Sequence, residues 1–166
     1  MKTFHAAVGV AAVLVSSVVF AFENEPDGFR GIKWGTPFAT NASEMTNVAK
    51  VHGGHTVYHR KRDKMQIGGA ELNSISYGYF EGRFYTALIK TDVVQKRALK
   101  MAFTSQFGKP EQKNEYIEKY HWAGKKTFIQ FSCEITDCTV SISSVEMLDR
   151  IVAQEKKEAA GAKRDF

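Results

Sequence analysis

The stretch TFIQFSCEITDCTVSISS (residues 127–144) alternates apolar and polar residues on both sides of a short loop. Two alternating runs around a four-residue loop are typical of an antiparallel hairpin. A register with Cys133 opposite Cys138 gathers six residues on one face: Ile129, Phe131, Cys133, Cys138, Val140 and Ile142. The other face is mostly polar. The stretch therefore predicts an antiparallel sheet with one packed face and one solvated face.

Cys133 and Cys138 are the only cysteines of the chain. Residues directly opposite each other in a hairpin have Cβ atoms about 4.5–5.5 Å apart, which is a small shift away from disulfide geometry. We therefore predict a disulfide that closes the tip of this hairpin. Because the loop is short, cross-linking it should stabilise the fold only modestly.

The first residues have the layout of a secretory signal peptide. Lys2 precedes an apolar run from Ala6 to Phe22, and the small residues Val19 and Ala21 predict cleavage after Ala21, with residues 1–21 removed. The alternative is an uncleaved anchor, since the run is near the lower limit of about 17–25 residues for a spanning helix. If the signal peptide is cleaved, we expect a secreted or periplasmic protein with no stable membrane span. Disulfides persist in these oxidising compartments.

The chain of 166 residues predicts one domain. We place this domain at residues 22–153 and expect the polar tail at residues 154–166 to fray. The hydrophobic content of 43% and charged content of 25% are ordinary for a globular protein. The formal net charge is +5, but the basic residues are scattered and form no recognition motif, so no nucleic-acid partner is expected.

Three helices are predicted. The first, over residues 36–53, has Thr36 as N-cap and Pro37 in its first turn, followed by apolar residues at helical spacing. The second runs from a cap at Asp92 to Gly108. Its apolar stripe is Val94, Ala98, Leu99, Met101, Ala102 and Phe103. The third begins near Val145 and loses its stripe after Ala153.

A second hairpin is predicted in NSISYGYFEGRFYTALIKT (residues 73–91), with Glu81 and Gly82 as its turn. Counting back from the turn predicts three cross-strand pairs: Tyr79 with Phe84, Tyr77 with Thr86, and Ile75 with Leu88.

A helix followed by an antiparallel meander thus occurs twice, and similar segments, WGTPF and QFGKPE, precede the two meanders. This arrangement resembles the duplicated helix-plus-antiparallel-sheet architecture of the β-lactamase inhibitor protein and of the small outer-membrane assembly lipoprotein. The segments GFRGIKWGT and SISYGYFEGRFYTALI also resemble uncharacterised exported bacterial proteins. The resemblance implies an α+β fold of two helix-plus-meander units with a C-terminal helix. It also implies protein binding without catalysis, although this chain lacks a lipidated cysteine.

Six aromatic residues in the predicted strands are candidates for an exposed binding face: Tyr77, Tyr79, Phe84, Tyr116, Tyr120 and Trp122. The alternative, which the general prevalence of aromatics in protein cores favours, is that helices cover them.

Three histidines close together, His52, His55 and His59, could present imidazoles to Zn²⁺ or Cu²⁺, although their spacing matches no known zinc motif. The chain has no nucleophile elbow and no glycine-rich phosphate loop, and no cofactor is expected. The sequence therefore favours an exported, non-catalytic binding or accessory module with another envelope protein as partner. The alternative is a small secreted enzyme or a metal-binding protein that uses these histidines.

Overall fold

The computed structural model describes residues 22–50 and 53–162, so the predicted signal peptide and His52 lie outside the described residues. The fold is mixed α and β and consists mostly of sheet. In chain order the strands are β1 (Gly28–Phe29), β2 (Ile32–Lys33), β3 (Met45–Lys50), β4 (His55–Arg60), β5 (Gln66–Ile67), β6 (Ala70–Glu71), β7 (Ser74–Phe80), β8 (Arg83–Asp92), β9 (Lys119–Ala123), β10 (Thr127–Cys133) and β11 (Asp137–Ser144). The α-helices are α1 (Lys96–Phe107) and α2 (Val145–Ala162).

Seven strands form one antiparallel sheet in the order β3-β4-β7-β8-β11-β10-β9. Strands β3, β4, β7 and β8 make one meander, and β9, β10 and β11 make another. The two meanders join where β11 pairs with β8. Helix α1 connects β8 to β9, which lies at the far edge of the sheet. The chain then runs back through β10 to β11, which lies beside β8.

The register predicted for the C-terminal hairpin is confirmed. Cys133 pairs with Cys138, and the two further predicted pairs of the same face are present. This face contacts the main core, while the opposite face carries partly exposed polar residues such as Gln130 and Ser141. The strict alternation on both strands fixes this register, since a slip of one residue would turn the apolar set toward solvent.

The register predicted for the central hairpin is correct only next to its turn. Tyr79 pairs with Phe84, but the pairing then shifts, because Gly78 pairs with Thr86 and leaves Tyr85 without a partner on β7. Tyr85 is thus the extra residue of a β-bulge. Beyond it, Tyr77 lies opposite Ala87, and not opposite Thr86 as predicted, and Ile75 lies opposite Ile89.

The helix predicted over residues 36–53 is wrong. Two 3₁₀ turns, Phe38–Thr40 and Ala42–Glu44, are followed directly by strand β3, which pairs with β4. Asn and Thr residues weaken the helical preference of this segment, and hydrogen bonding to β4 decides its conformation. The first of the two predicted helix-plus-meander units therefore has no α-helix before its meander.

The main core lies on one face of the sheet, beneath α1. Leu99 and Phe103 are the buried residues of this helix, and they join a cluster that includes Tyr77, Phe131 and Trp122. The predicted stripe was too wide, since Val94 and Met101 are exposed. The helix ends at Gly108, whose φ of 82° is accessible to glycine at low energetic cost.

Helix α2 packs on the opposite face. Met147 and Ile151 are buried against Phe80, with Tyr85 beside them. Arg150 also donates a hydrogen bond to Glu81 at 2.6 Å, at the turn of the central hairpin. The helix is described to Ala162, and fraying of the tail at residues 154–166 stays a prediction.

Candidate functional site

Five of the six aromatic residues proposed for a binding face lie in the core: Tyr77, Tyr79, Phe84, Tyr120 and Trp122. Tyr79 and Phe84 contact each other with ring centroids 5.5 Å apart, and Tyr77 lies 5.8 Å from Phe84. Tyr116 differs, because it precedes β9 in a loop and is 89% exposed. These five residues are therefore part of the core and form no exposed binding face, and Tyr116 lies apart from them in a loop.

His55 and His59 lie on the same face of β4, but each is bonded to a hydroxyl group. Nδ1 of His55 is 3.1 Å from the Tyr85 hydroxyl, and Nε2 of His59 is 3.2 Å from Oγ of Ser76. Four residues of extended strand separate the two histidines by about 13 Å, which is too far for one metal ion. Within residues 22–50 and 53–162, no group of three or more His, Cys, Asp or Glu side chains is placed to hold a metal ion.

A buried polar network lies between the N-terminal hairpin and the sheet. Arg30 makes an ion pair with the nearly inaccessible carboxylate of Asp63, and the Tyr77 hydroxyl donates to the same carboxylate at 2.7 Å. Burial, and then the hydrogen bond to Asp63, raise the pKa of Tyr77. No local sequence pattern predicted this network, because Arg30 and Asp63 are 33 positions apart. Each of these side chains is bonded to another member of the network, so we assign the network a structural role.

The tip of the C-terminal hairpin, in contrast to this buried network, is exposed to solvent. A disulfide joins Cys133 to Cys138, and Glu134 N–H donates to the Asp137 carbonyl at 2.8 Å across the loop. Ile135 stands in this loop and is 93% exposed. A large aliphatic side chain is thus held in water on a cross-linked loop.

Two neighbouring segments are bonded to this tip. Val93 N–H donates to the Thr136 carbonyl at 2.9 Å, and Cys133 N–H donates to the Glu118 carbonyl at 3.0 Å. The first bond holds the turn that contains Val94, which is 81% exposed. The second bond holds the end of the loop that contains Tyr116. We call Val94, Tyr116 and Ile135 the tip surface.

Exposed carboxylates accompany the tip surface. Glu134 and Asp137 belong to the loop of Ile135, and Asp92 lies directly opposite Asp137 on β8. Like charges directly opposite each other in a sheet are unfavourable, so the Asp92–Asp137 pair does not stabilise the fold. Ile135 therefore has acidic neighbours, while Lys90, Lys96 and Lys119 lie on the adjoining segments.

No family model, curated protein or solved structure matches this chain. The resemblance to the β-lactamase inhibitor protein and the outer-membrane assembly lipoprotein thus stays a prediction. In the described part of the chain, no helix has the length and apolar character needed to cross a membrane.

Val94 and Ile135 were not predicted as surface residues. The apolar pattern placed Val94 in the buried stripe of α1, and Ile135 was predicted only to lie in a loop. One signal could have identified Ile135: a large aliphatic residue in a loop too short to bury it, between two acidic residues and two cysteines.

Proposed function

We propose that this chain is an exported, non-catalytic binding module that recognises another envelope protein through its tip surface. Export rests on the N-terminal signal sequence, and the disulfide is compatible with an oxidising compartment. This function class is the one that the sequence favoured, but the binding site lies at the hairpin tip and not on the sheet face.

The single observation behind this site is the exposure of Ile135 on a loop closed by a disulfide. Exposed large aliphatic groups that cluster together mark interaction sites more often than isolated ones do. The cross-link and the hydrogen bond from Glu134 to Asp137 limit the motion of the loop before a partner arrives. A group ordered in advance loses less entropy on binding, so a rigid tip favours affinity.

The neighbouring charges indicate the chemistry of the partner. Glu134 and Asp137 lie two positions or fewer from Ile135 in sequence, and Asp92 lies opposite Asp137, so the charges next to Ile135 are negative. A complementary partner has an apolar pocket bordered by Lys or Arg, since opposite potentials across an interface favour encounter and register. We place the Ile135 side chain in that pocket, with Val94 and Tyr116 at its border.

The alternative function, a small secreted enzyme or metal-binding protein using His52, His55 and His59, lacks a comparable observation. His55 and His59 are hydrogen-bonded to Tyr85 and Ser76 and are too far apart to share an ion. We therefore propose protein binding alone.

Site-specific photo-crosslinking in the envelope of the native organism tests the site. A photoreactive phenylalanine analogue replaces Ile135 in one variant and Val152, an exposed residue of α2, in the control variant. We expect a discrete adduct from position 135 that is absent from position 152. Adding Val94→Asp to the first variant should reduce the adduct at least tenfold.

Equal labelling from both positions, or no adduct from position 135, would contradict the proposal. An adduct with twice the mass of the chain would show that a second copy is the partner. Export is tested separately by N-terminal sequencing of the envelope-extracted protein, which should begin at Phe22.

A further inference from the structure

A cavity of about 680 Å³ lies between α1 and the segment that leads to β9. Lys100 and Thr104 line it from the helix, residues 109–113 line it from the segment, and Tyr120 lines it from β9. This volume is within the range of about 300–1,000 Å³ that is common for small-molecule sites. We call it the lysine cavity.

The lysine cavity contains an excess of positive charge. Three lysines line it, Lys100, Lys109 and Lys113, against one acid, Glu111. In the described part of the chain, none of the three ammonium groups lies within 4.0 Å of a carboxylate oxygen. The Glu111 carboxylate is 3.0 Å from Nε2 of His121 and is directed to that partner.

The Lys100 ammonium group contacts an aromatic ring and not the nearby carboxylate of Glu118. Its nitrogen lies 3.5 Å from the centre of the Tyr120 ring, as in a cation–π contact. The nearby Glu118 carboxylate instead accepts hydrogen bonds from Tyr120 and Lys96, which lower its pKa. The charge of Lys100 also lowers the pKa of Glu118, but Lys100 is not within ion-pair distance of this carboxylate. Its N–H groups that point away from the Tyr120 ring are therefore available to a ligand anion.

The cavity wall is fixed before any ligand binds. The backbones of Glu111 and His121 exchange two hydrogen bonds of 2.8 and 2.9 Å. The indole N–H of Trp122 also donates to the Gly108 carbonyl at 2.8 Å. These bonds hold the segment against β9, so the space between it and α1 does not depend on a ligand. Pre-formed, largely apolar cavities with a few fixed polar groups are the usual form of small-molecule sites.

We propose that the lysine cavity binds a small organic anion, with its carboxylate, phosphate or sulfonate group at Lys100 and Lys109 and its apolar body against Pro110. Ammonium groups without carboxylate partners supply the charge-assisted hydrogen bonds, and the apolar wall accepts a body of aromatic size. This proposal is independent of the tip surface and of its protein partner.

Two matched fluorescent probes test the ligand class. 1-Anilinonaphthalene-8-sulfonate has the aromatic body and an anionic group, and N-phenyl-1-naphthylamine has the same body without charge. We expect saturable binding of the sulfonate at pH 7, with affinity that falls as salt increases, and binding of the neutral probe at least tenfold weaker.

Variants of the full chain locate the site. Lys100→Gln and Lys109→Gln should each weaken sulfonate binding about tenfold, because each removes a charge-assisted hydrogen bond. Lys119→Gln is the control, since Lys119 does not line the lysine cavity. It lines a neighbouring cavity of about 500 Å³ that shares Glu111 and Lys113 with the lysine cavity. Thr104→Trp should fill the lysine cavity and abolish binding while the melting temperature stays within a few degrees.

Three outcomes would overturn the proposal. These are equal affinity for the neutral and anionic probes, an effect of Lys119→Gln as large as that of Lys100→Gln, and the absence of saturable sulfonate binding. If Thr104→Trp fails to fold, the two lysine variants and the salt dependence still decide between these outcomes.

Discussion

The ring of Tyr85 lies over Gly78 on the neighbouring strand. A Cβ atom at position 78 would lie 3.2 Å from Cε1 of Tyr85 and 2.5 Å from Cγ2 of Thr86. Glycine therefore permits the ring to lie close to the sheet. From this position Tyr85 bonds to His55 and contacts the Met147 and Ile151 cluster of α2. The bulge at Tyr85 thus connects the central hairpin to the C-terminal helix.

Gly78→Ala should lower the free energy of unfolding by about 1–3 kcal/mol, because the added methyl group has no space. Urea denaturation measures this change. Gly69→Ala is the matched control, since a Cβ there would meet nothing within 4 Å. The control should change stability by less than about 1 kcal/mol, and in the stabilising direction if its backbone suits alanine. Equal losses for both variants would show that the Tyr85 ring does not require glycine beneath it.

The fold should lose stability in alkaline solution. Burial raises the pKa of Tyr77, Tyr79 and Tyr85 above the ordinary value of about 10. Above pH 10 the unfolded chain releases these protons while the folded chain keeps them, so stability present below pH 10 is lost as pH rises. Each such tyrosine contributes a slope of up to about 1.4 kcal/mol per pH unit.

Tyr77→Phe isolates one of these contributions. It should reduce the alkaline slope, measured by urea denaturation from pH 8 to pH 11. At pH 7 it should lower stability by about 1 kcal/mol through loss of the hydrogen bond to Asp63. Tyr116→Phe is the control for removal of a tyrosine hydroxyl, because Tyr116 is 89% exposed, and it should leave stability at pH 7 unchanged. An unchanged slope in Tyr77→Phe would exclude Tyr77 as a source of the alkaline instability.

Helix α2 should depend on Ile151 for its attachment to the sheet. Ile151→Ala removes a buried side chain from the cluster with Phe80 and should cost about 2–4 kcal/mol. Val152→Ala, one position further on the exposed side, should cost less than about 0.5 kcal/mol. Hydrogen exchange of the α2 amides should accelerate in the first variant alone. Faster exchange in both would mean that the helix is held by other contacts.

The disulfide should stabilise the fold without being essential to it. Replacing Cys133 and Cys138 together with Ala should cost about 2 kcal/mol, which corresponds to a fall in melting temperature of about 4–8 °C. The apolar face of the hairpin, with Phe131 and Val140, remains in this variant. Mass spectrometry of the unreduced protein checks the bond itself, and two alkylatable thiols in the exported protein would contradict it. Complete unfolding of the double variant would show that packing alone cannot hold the hairpin.

The sequence alone determined the C-terminal hairpin. Alternation with period two on both strands, together with a four-residue loop, permits one register that buries the apolar set, and that register brings Cys133 and Cys138 together. The α-helices α1 and α2 were also evident from their apolar residues and from Gly108. These features depend on neighbours in sequence, which is why local patterns predict them.

Tertiary structure alone decided the remaining features. Residues 45–50 form a strand because β4 supplies hydrogen-bond partners, which outweigh a weak helical pattern. The bulge at Tyr85 occurs where this residue contacts His55 and α2, which are distant in sequence, and it changes the partner of Tyr77. The exposure of Val94, Tyr116 and Ile135 likewise follows from where the sheet and α1 end. An apolar residue type indicates a preference for burial, but the available contact area in the assembled fold determines which residues are buried.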